Sequence, residues 1–285
     1  MRRSLLPLLL VLAGCGGPEL LDRLARNPDR GTRVVRDLAY GEEPRQKLDL
    51  YVPAREGPHP ILIFFHGGGW DSGSKDAYGF AGRRFAAEGY LTAVPSYRLR
   101  PGATYPVFMH DAAAAVAETL RRAPDEGGDP DRLFLVGHSA GAYNAVQLAV
   151  APEFLAEHGL TPAVIDAVAG LAGPYDFLPL DPGAAEETFG TADDLAATQP
   201  VRRVTDEAPP MILVTGDADA IVRPENSAAM VEALREAGVD AQLVTYPGKD
   251  HVTPVVALAF PRRAPVVRDV TTFFDAHGAG LGGER

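Results

Sequence analysis

Ser139 stands in the sequence Gly137-His138-Ser139-Ala140-Gly141, and a second glycine run, His66-Gly67-Gly68-Gly69-Trp70, lies upstream of it. A serine hydroxyl is a weak nucleophile until a neighbouring base takes its proton. In a G-x-S-x-G setting it sits on a sharp strand-to-helix turn that presents its Oγ. The two glycines leave room for strand and helix to approach closely, where side chains would clash. The chemistry that suits such a serine is acyl transfer through a tetrahedral intermediate bearing a negative oxygen. Backbone N–H groups aimed at that oxygen stabilise it, and losing one typically raises the barrier by ~2.7–4 kcal/mol. The glycine run supplies such donors, which we assign to the amides of Gly68, Gly69 and, from the residue after the serine, Ala140. His66 is expected to hold the loop rather than act as the base. Trp70 is expected to pack or to shape a pocket wall.

The elements that must position these groups follow from the apolar pattern. Ile61-Leu62-Ile63-Phe64-Phe65 is a continuous apolar run directly before the glycines, and residues 131–136 form another directly before the elbow. Both read as buried strands. Residues 140–149 are small and helix-compatible, giving the strand–turn–helix context that the serine motif requires. Further strands are expected at 33–40, 47–52, 90–95, 165–171, 211–215 and 241–246. The first two form an opening antiparallel pair. Helices are expected at 77–88, 106–121, 225–237 and 265–276, with Asp111 near the start of the second. Strands alternating with helices predict an α/β fold: a mostly parallel eight-stranded sheet with helices on both faces. The glycine loop, the elbow and the later loops then all fall at the carboxyl ends of strands, where ligands bind in such sheets. Residues 176–208, rich in Pro, Gly and acidic residues, break the rhythm. They are expected to form a small cap insertion, a lid over the acyl pocket with a short helix at 193–198, and Phe177, Leu178, Phe189 and Leu195 are its apolar candidates for a pocket lining.

The serine needs a base and the base needs an acid. The run 211–215 ends in Gly216-Asp217-Ala218-Asp219-Ala220-Ile221-Val222, where Asp217 and Asp219 compete. The run 241–246 is followed by Pro247-Gly248-Lys249-Asp250-His251. His251 and His277 are the histidines that follow both the serine and the acidic loop, and His251 directly follows a strand-like run. His59 and His110 precede the elbow, His138 is its variable position, His158 precedes the acid, and His277 lies near the C-terminus. Asp250 reads as a surface charge of the loop.

Taken together, residues 44–276 resemble the α/β-hydrolase superfamily, in particular the esterase branch that includes the BD-FAE-like and hormone-sensitive-lipase-like carboxylesterases, with kynurenine formamidase as a cousin. The resemblance rests on Leu48-Asp49-Leu50-Tyr51-Val52-Pro53, the HGGGW run, Ser96-Tyr97-Arg98-Leu99, Gly128-Asp129-Pro130-Asp131-Arg132, Gly137–Gly141 and the loops carrying Asp219 and His251. It implies an α/β-hydrolase fold and a Ser139–Asp219–His251 triad in the chain order of that superfamily. It favours Asp219 over Asp217. It also implies a serine carboxylesterase acting through an acyl-enzyme on small or short-acyl esters, with no metal and no organic cofactor. Trp70, His138, Phe177, Phe189 and Val252 are the expected pocket residues. Val252 stands where the family often has an aromatic residue. Arg98 and Asp111 are expected to pair behind the oxyanion loop. An arylformamidase or amidase using the same triad is the alternative, and a surface binding protein that has lost catalysis is a third reading.

The N-terminus carries a different signal. Met1-Arg2-Arg3 is basic, residues 5–12 are apolar but too short to span a bilayer as a helix, and Leu12-Ala13-Gly14-Cys15 is similar to the lipobox of bacterial lipoproteins. Cys15 is the single cysteine, so an internal disulfide is excluded and the residue is expected to be lipidated. The expected organisation is a signal peptide at 1–14, a lipid-anchored linker at 15–31 (with a short helix at 19–26), the α/β-hydrolase domain at 32–277 and a flexible tail at 278–285. The expected place is the bacterial cell envelope, at the outer membrane or cell surface rather than the inner membrane because Gly16, not Asp, follows the cysteine. The net charge of −11 over 285 residues, with no basic cluster, offers nucleic acid nothing to hold. The expected partners are a small-molecule ester and, through the lipid alone, a membrane.

Overall fold

The computed structural model describes residues 17–25 and 31–278. Cys15, the expected signal peptide and most of the expected tail lie outside them. Eight strands form one sheet: β1 (Arg33–Ala39), β2 (Lys47–Val52), β3 (His59–Phe65), β4 (Leu91–Pro95), β5 (Gly128–His138), β6 (Ala167–Leu171), β7 (Met211–Gly216) and β8 (Ala241–Tyr246). Their order is β1-β2-β4-β3-β5-β6-β7-β8. β2 runs antiparallel to both β1 and β4, and every pair from β4 onward is parallel.

The central strands are apolar on both faces because helices cover both. In β3, Ile61, Ile63 and Phe65 join one core layer while Leu62 and Phe64 join the other, the period-two alternation of a strand. β5 and β7 repeat it, with Leu133, Leu135, Met211 and Leu213 on the first side and Phe134, Val136, Ile212 and Val214 on the second. The first layer is closed by α3 (Val107–Arg122), α4 (Ala140–Val150), α5 (Pro152–Ala156) and α7 (Glu225–Glu236). The second is closed by α1 (Gly17–Leu24), α2 (Gly79–Glu88), α8 (Thr253–Ala259) and α9 (Val266–Gly278).

Two expectations about organisation need correction. The short helix expected at 19–26 within the linker forms as α1, but it is docked on the body rather than free: Leu21 is buried with Tyr51, Phe80 and Leu258 in the second layer, Ala25 packs one turn on, and Asp22 pairs with Arg83 at 2.6 Å. Leu21 and Ala25, four residues apart, lie on the same side of this segment, as helical spacing requires. In the cap insertion the helix is α6 (Ala184–Phe189), not 193–198. Residues 193–198 form turns, and the Asp194 carboxylate accepts the Ala196 amide at 2.8 Å, a local bond that competes with helix. The insertion is also fastened to the body. Tyr143 Oη and Gln147 Nε2, both on α4, donate to the carbonyls of Thr198 and Ala197 at 2.8 and 2.9 Å. Asn226 Oδ1 accepts the amides of Tyr175 and Asp176.

Candidate active site

The elbow is built by steric exclusion. A Cβ on Gly137 would lie 2.0 Å from the Gly141 carbonyl oxygen, and one on Gly141 would lie 2.1 Å from the Phe65 oxygen. With glycine at both positions, α4 leaves β5 against the end of β3. The turn forces Ser139 to φ 54°, ψ −120°, a conformation an L residue holds only when its surroundings over-determine it. The Ser139 amide is fixed on the Leu171 carbonyl of β6 at 2.8 Å. Its side chain remains partly open to solvent.

Three loops bring their polar groups to that serine. His251, between β8 and α8, places Nε2 2.9 Å from Ser139 Oγ and Nδ1 2.8 Å from Asp219 Oδ2. Asp219, in the loop after β7, uses its other oxygen to accept the amides of Ile221 and Val222, each at 2.9 Å. Burial alone would raise the Asp219 pKa. The hydrogen bond and charge of His251, with the Val222 and Ile221 amides, outweigh it and hold the carboxyl below the usual carboxylate range. The acceptor at Nδ1 makes that nitrogen the N–H donor, which leaves Nε2 free to accept the serine proton. Asp217 does not reach the histidine. It is exposed and accepts the Gly248 amide at 2.5 Å, joining the acid loop to the base loop. Asp250 accepts both the amide and the hydroxyl of Thr253 at the start of α8.

The glycine loop approaches from β3. Gly68 and Gly69 both have positive φ, 121° and 57°, so this path is closed to most side chains. Among the described residues, the amides of Gly68, Gly69 and Ala140 make no hydrogen bond within the protein. Ala140 also opens α4, where the helix dipole is positive. The loop is held from behind. His66 donates from Nδ1 to the Gly67 oxygen at 2.8 Å and stacks on Tyr97 with ring centroids 4.2 Å apart, and Tyr97 Oη donates to the His66 carbonyl at 2.7 Å. Arg45 bridges the carbonyls of Tyr97 and Gly73, each at 2.7 Å. Arg98 forks onto both oxygens of buried Asp111, which also accepts from Gln46. Arg45 and the Tyr97 hydroxyl were not singled out in the sequence; Tyr97 lies in the Ser96–Leu99 motif, which was the available signal.

The expected pocket residues divide. Trp70 and Phe189 are buried in an aromatic cluster, with Trp70 edge-on to Tyr143 and Phe189 at 5.3 and 5.0 Å and its Nε1 donating to Asn144 at 3.1 Å. They form the joint between cap and body rather than an open wall. His138 is buried as well, its Nε2 3.1 Å from the His251 carbonyl, and is likewise no pocket wall. Phe177 and Val252 are partly exposed. Leu195 and, at 69% exposure, Ile221 are the exposed large apolar side chains among the described residues. Ile221 sits on the same loop as Asp219, two residues on, at a position that no motif in the sequence marks.

Known proteins resemble this chain in sequence and in fold. Over 244 residues the chain is 32% identical to a probable isoprenylcysteine alpha-carbonyl methylesterase, ICMEL1, of Oryza sativa subsp. japonica, an alignment covering 77% of this chain and 57% of that one. It is 30% identical over 242 residues to esterase LipC of Mycobacterium tuberculosis, covering 76% and 59%, and 25% identical over 234 residues to the kynurenine formamidase of Danio rerio, covering 80% and 78%. The chain thus spans little more than half the length of the plant methylesterases it matches. Among solved structures, esterase B from Lactobacillus rhamnosis superposes with a TM-score of 0.81 at 22% identity over 95% of both chains. A truncated carbohydrate esterase from gut microbiota superposes at 0.77 and 19%, covering 89% of this chain and 99% of that one. At these identities the likeness is one of fold, the α/β-hydrolase fold. The BD-FAE family model matches residues 48–234, taking in the glycine loop, the elbow and Asp219 and ending before His251, and the chain belongs to that family.

Proposed function

We propose that this protein is a serine carboxylesterase that cleaves small or short-acyl esters through an acyl-enzyme. The observation that carries the reading is the continuous relay from Ser139 through His251 to Asp219, set beside three unspent amides. Ser139 Oγ gives its proton to His251 Nε2 and attacks the acyl carbonyl. Asp219 holds the ring in the required tautomer and stabilises the imidazolium. The amides of Gly68, Gly69 and Ala140 receive the oxyanion. His251 then protonates the departing alcohol, and water enters by the same route to release the acid. Short acyl chains are favoured because Trp70, Phe108, Tyr143 and Phe189 fill the space next to the oxyanion loop with interlocked rings. Hydrolysis of p-nitrophenyl esters from acetyl to decanoyl tests this: the expected result is a short-chain optimum that disappears in Ser139→Ala. Activity that survives in Ser139→Ala overturns it.

A second reading, an arylformamidase with the same triad, draws support from the formamidase relative, of which the chain covers 78%. N-formylkynurenine turnover exceeding that of every ester would establish it. We further propose that Cys15 is lipidated and tethers the domain to the cell envelope. Metabolic labelling with a palmitate analogue is expected to mark the full-length protein and to fail in Cys15→Ser; equal labelling of both would refute the tether.

A further inference from the structure

His138, the variable residue of the elbow, lies between the His251 loop and the glycine loop. It follows β5 and precedes Ser139. Its Nε2 lies 3.1 Å from the carbonyl oxygen of His251, and the two rings are 5.1 Å apart. On the opposite side it faces the oxyanion loop, where a Cβ on Gly67 would come within 2.9 Å of its Nδ1. A carbonyl only accepts, so Nε2 carries the hydrogen and Nδ1 is the bare lone pair. That lone pair has no partner among the described residues, and the ring is 4% exposed. Burial, with the adjacent His251 adding to it, pushes the His138 pKa down to about 3, so the ring stays neutral and keeps its one donor. The bond to His138 is the one hydrogen bond made by the main chain of His251 among the described residues.

Resting on the esterase reading above, we infer that His138 is a positioning residue for the base: its Nε2–H anchors the His251 main chain to the elbow, so that nucleophile and base move as one body. The proton relay depends on that registration, since His251 must keep both 2.8–2.9 Å contacts while its side chain cycles between neutral and charged. Displacement of a catalytic group by about 1 Å costs on the order of 100-fold in rate. A residue that acts only by fixing His251 should lower kcat without touching substrate affinity.

The test is a series at position 138 in the full-length protein, followed by p-nitrophenyl acetate kinetics and by the rate at which a fluorophosphonate modifies Ser139. His138→Leu keeps volume and loses the donor. His138→Gln puts an N–H near the position of Nε2, whereas His138→Asn falls short of the His251 carbonyl. The expected result is a kcat and a phosphonylation rate ~10–100-fold lower in Leu with KM little changed, recovered to roughly a third of wild type or better in Gln. Wild-type rates in a folded Leu variant, or a folded Gln variant no better than Leu, would overturn the inference. If Leu does not fold, Gln and Asn decide: Gln is expected to exceed Asn severalfold, and equal rates overturn the proposal. The phosphonylation readout does not depend on which ester is the substrate. Ser139→Ala measured alongside reports separately on the esterase reading, since loss of wild-type activity and labelling there sustains it whatever the position-138 series shows.

Discussion

Mild acid is expected to destabilise this fold well before its carboxylates titrate, because two histidines are buried neutral. His66 is fully buried and His138 nearly so. Each spends one nitrogen on a backbone carbonyl, and the other, His66 Nε2 or His138 Nδ1, has no partner. Burial pushes both to a pKa of about 3, against roughly 6.5 in an unfolded chain. Between those values the unfolded state binds protons that the native state refuses, so stability rises with pH throughout the window. It is complete above about pH 6.5 and declines progressively as the pH falls toward 3. Each such group loses about 1.4 kcal/mol per pH unit below 6.5. At pH 5 this amounts to about 2 kcal/mol apiece and about 4 kcal/mol for the pair, a large part of the 5–15 kcal/mol that typically holds a domain together. His59, also drawn down by burial, acts in the same direction. Asp219 lies outside the window: its lowered pKa supplies stability above the carboxylate range that is lost only as the pH falls through its native value. Urea unfolding followed by circular dichroism at pH 7, 6 and 5 measures the effect. Wild type is expected to lose about 4 kcal/mol, and His66→Asn or His138→Gln, each lacking one titrating ring, about half as much. A stability independent of pH from 7 to 5, or a loss identical in all three proteins, would mean that the two buried rings are not the source of the acid sensitivity.

Two further outcomes follow from the geometry. Asp219→Asn is expected to lower kcat by about 10⁴ because it favours the wrong tautomer of His251, while Asp217→Asn stays near wild type; equal losses in steady-state kinetics would remove Asp219 from the relay. Gly141→Ala, whose methyl would meet the Phe65 oxygen at 2.1 Å, is expected to cost more than about 4 kcal/mol or to abolish soluble expression, whereas Ser139→Ala accumulates normally; a wild-type melting temperature for Gly141→Ala would mean that the elbow yields.

How much of this was legible in the sequence depended on whether the signal was local. β3, β5, β6 and β7 are continuous apolar runs because both faces of the sheet are covered, and their ends matched expectation to within a few residues. Ser139 was identifiable because it follows such a run, and His251 because it follows the half-exposed edge strand β8 in the chain order of the superfamily. The choice of Asp219 over Asp217 needed the family resemblance, for both residues lie in one loop and their difference is directional: Asp219 turns inward to His251 while Asp217 turns to Gly248. The cap was illegible for a related reason. Its segments at 175–176 and 197–198 are held by Tyr143, Gln147 and Asn226 from far along the chain, and Phe189, at the end of the six-residue helix Ala184–Phe189, is buried by rings from distant elements, contacts that leave no periodic signature. The motif of Trp70 left open whether it packs or lines a pocket, and that of His138 marked a position without showing its contacts. One became an aromatic joint with Asn144, the other a support for the base.

If His251, oriented by Asp219, makes Ser139 a nucleophile, Ser139 reacts with electrophiles that its neighbours do not. Incubating the full-length protein with a fluorophosphonate and mapping the adduct by peptide mass spectrometry measures this directly. The expected result is a single adduct, on Ser139, formed slowly or not at all in His251→Ala and delayed by a competing short-acyl ester. Absence of an adduct on Ser139 in the folded wild type, or an equal rate of labelling in His251→Ala, would contradict it.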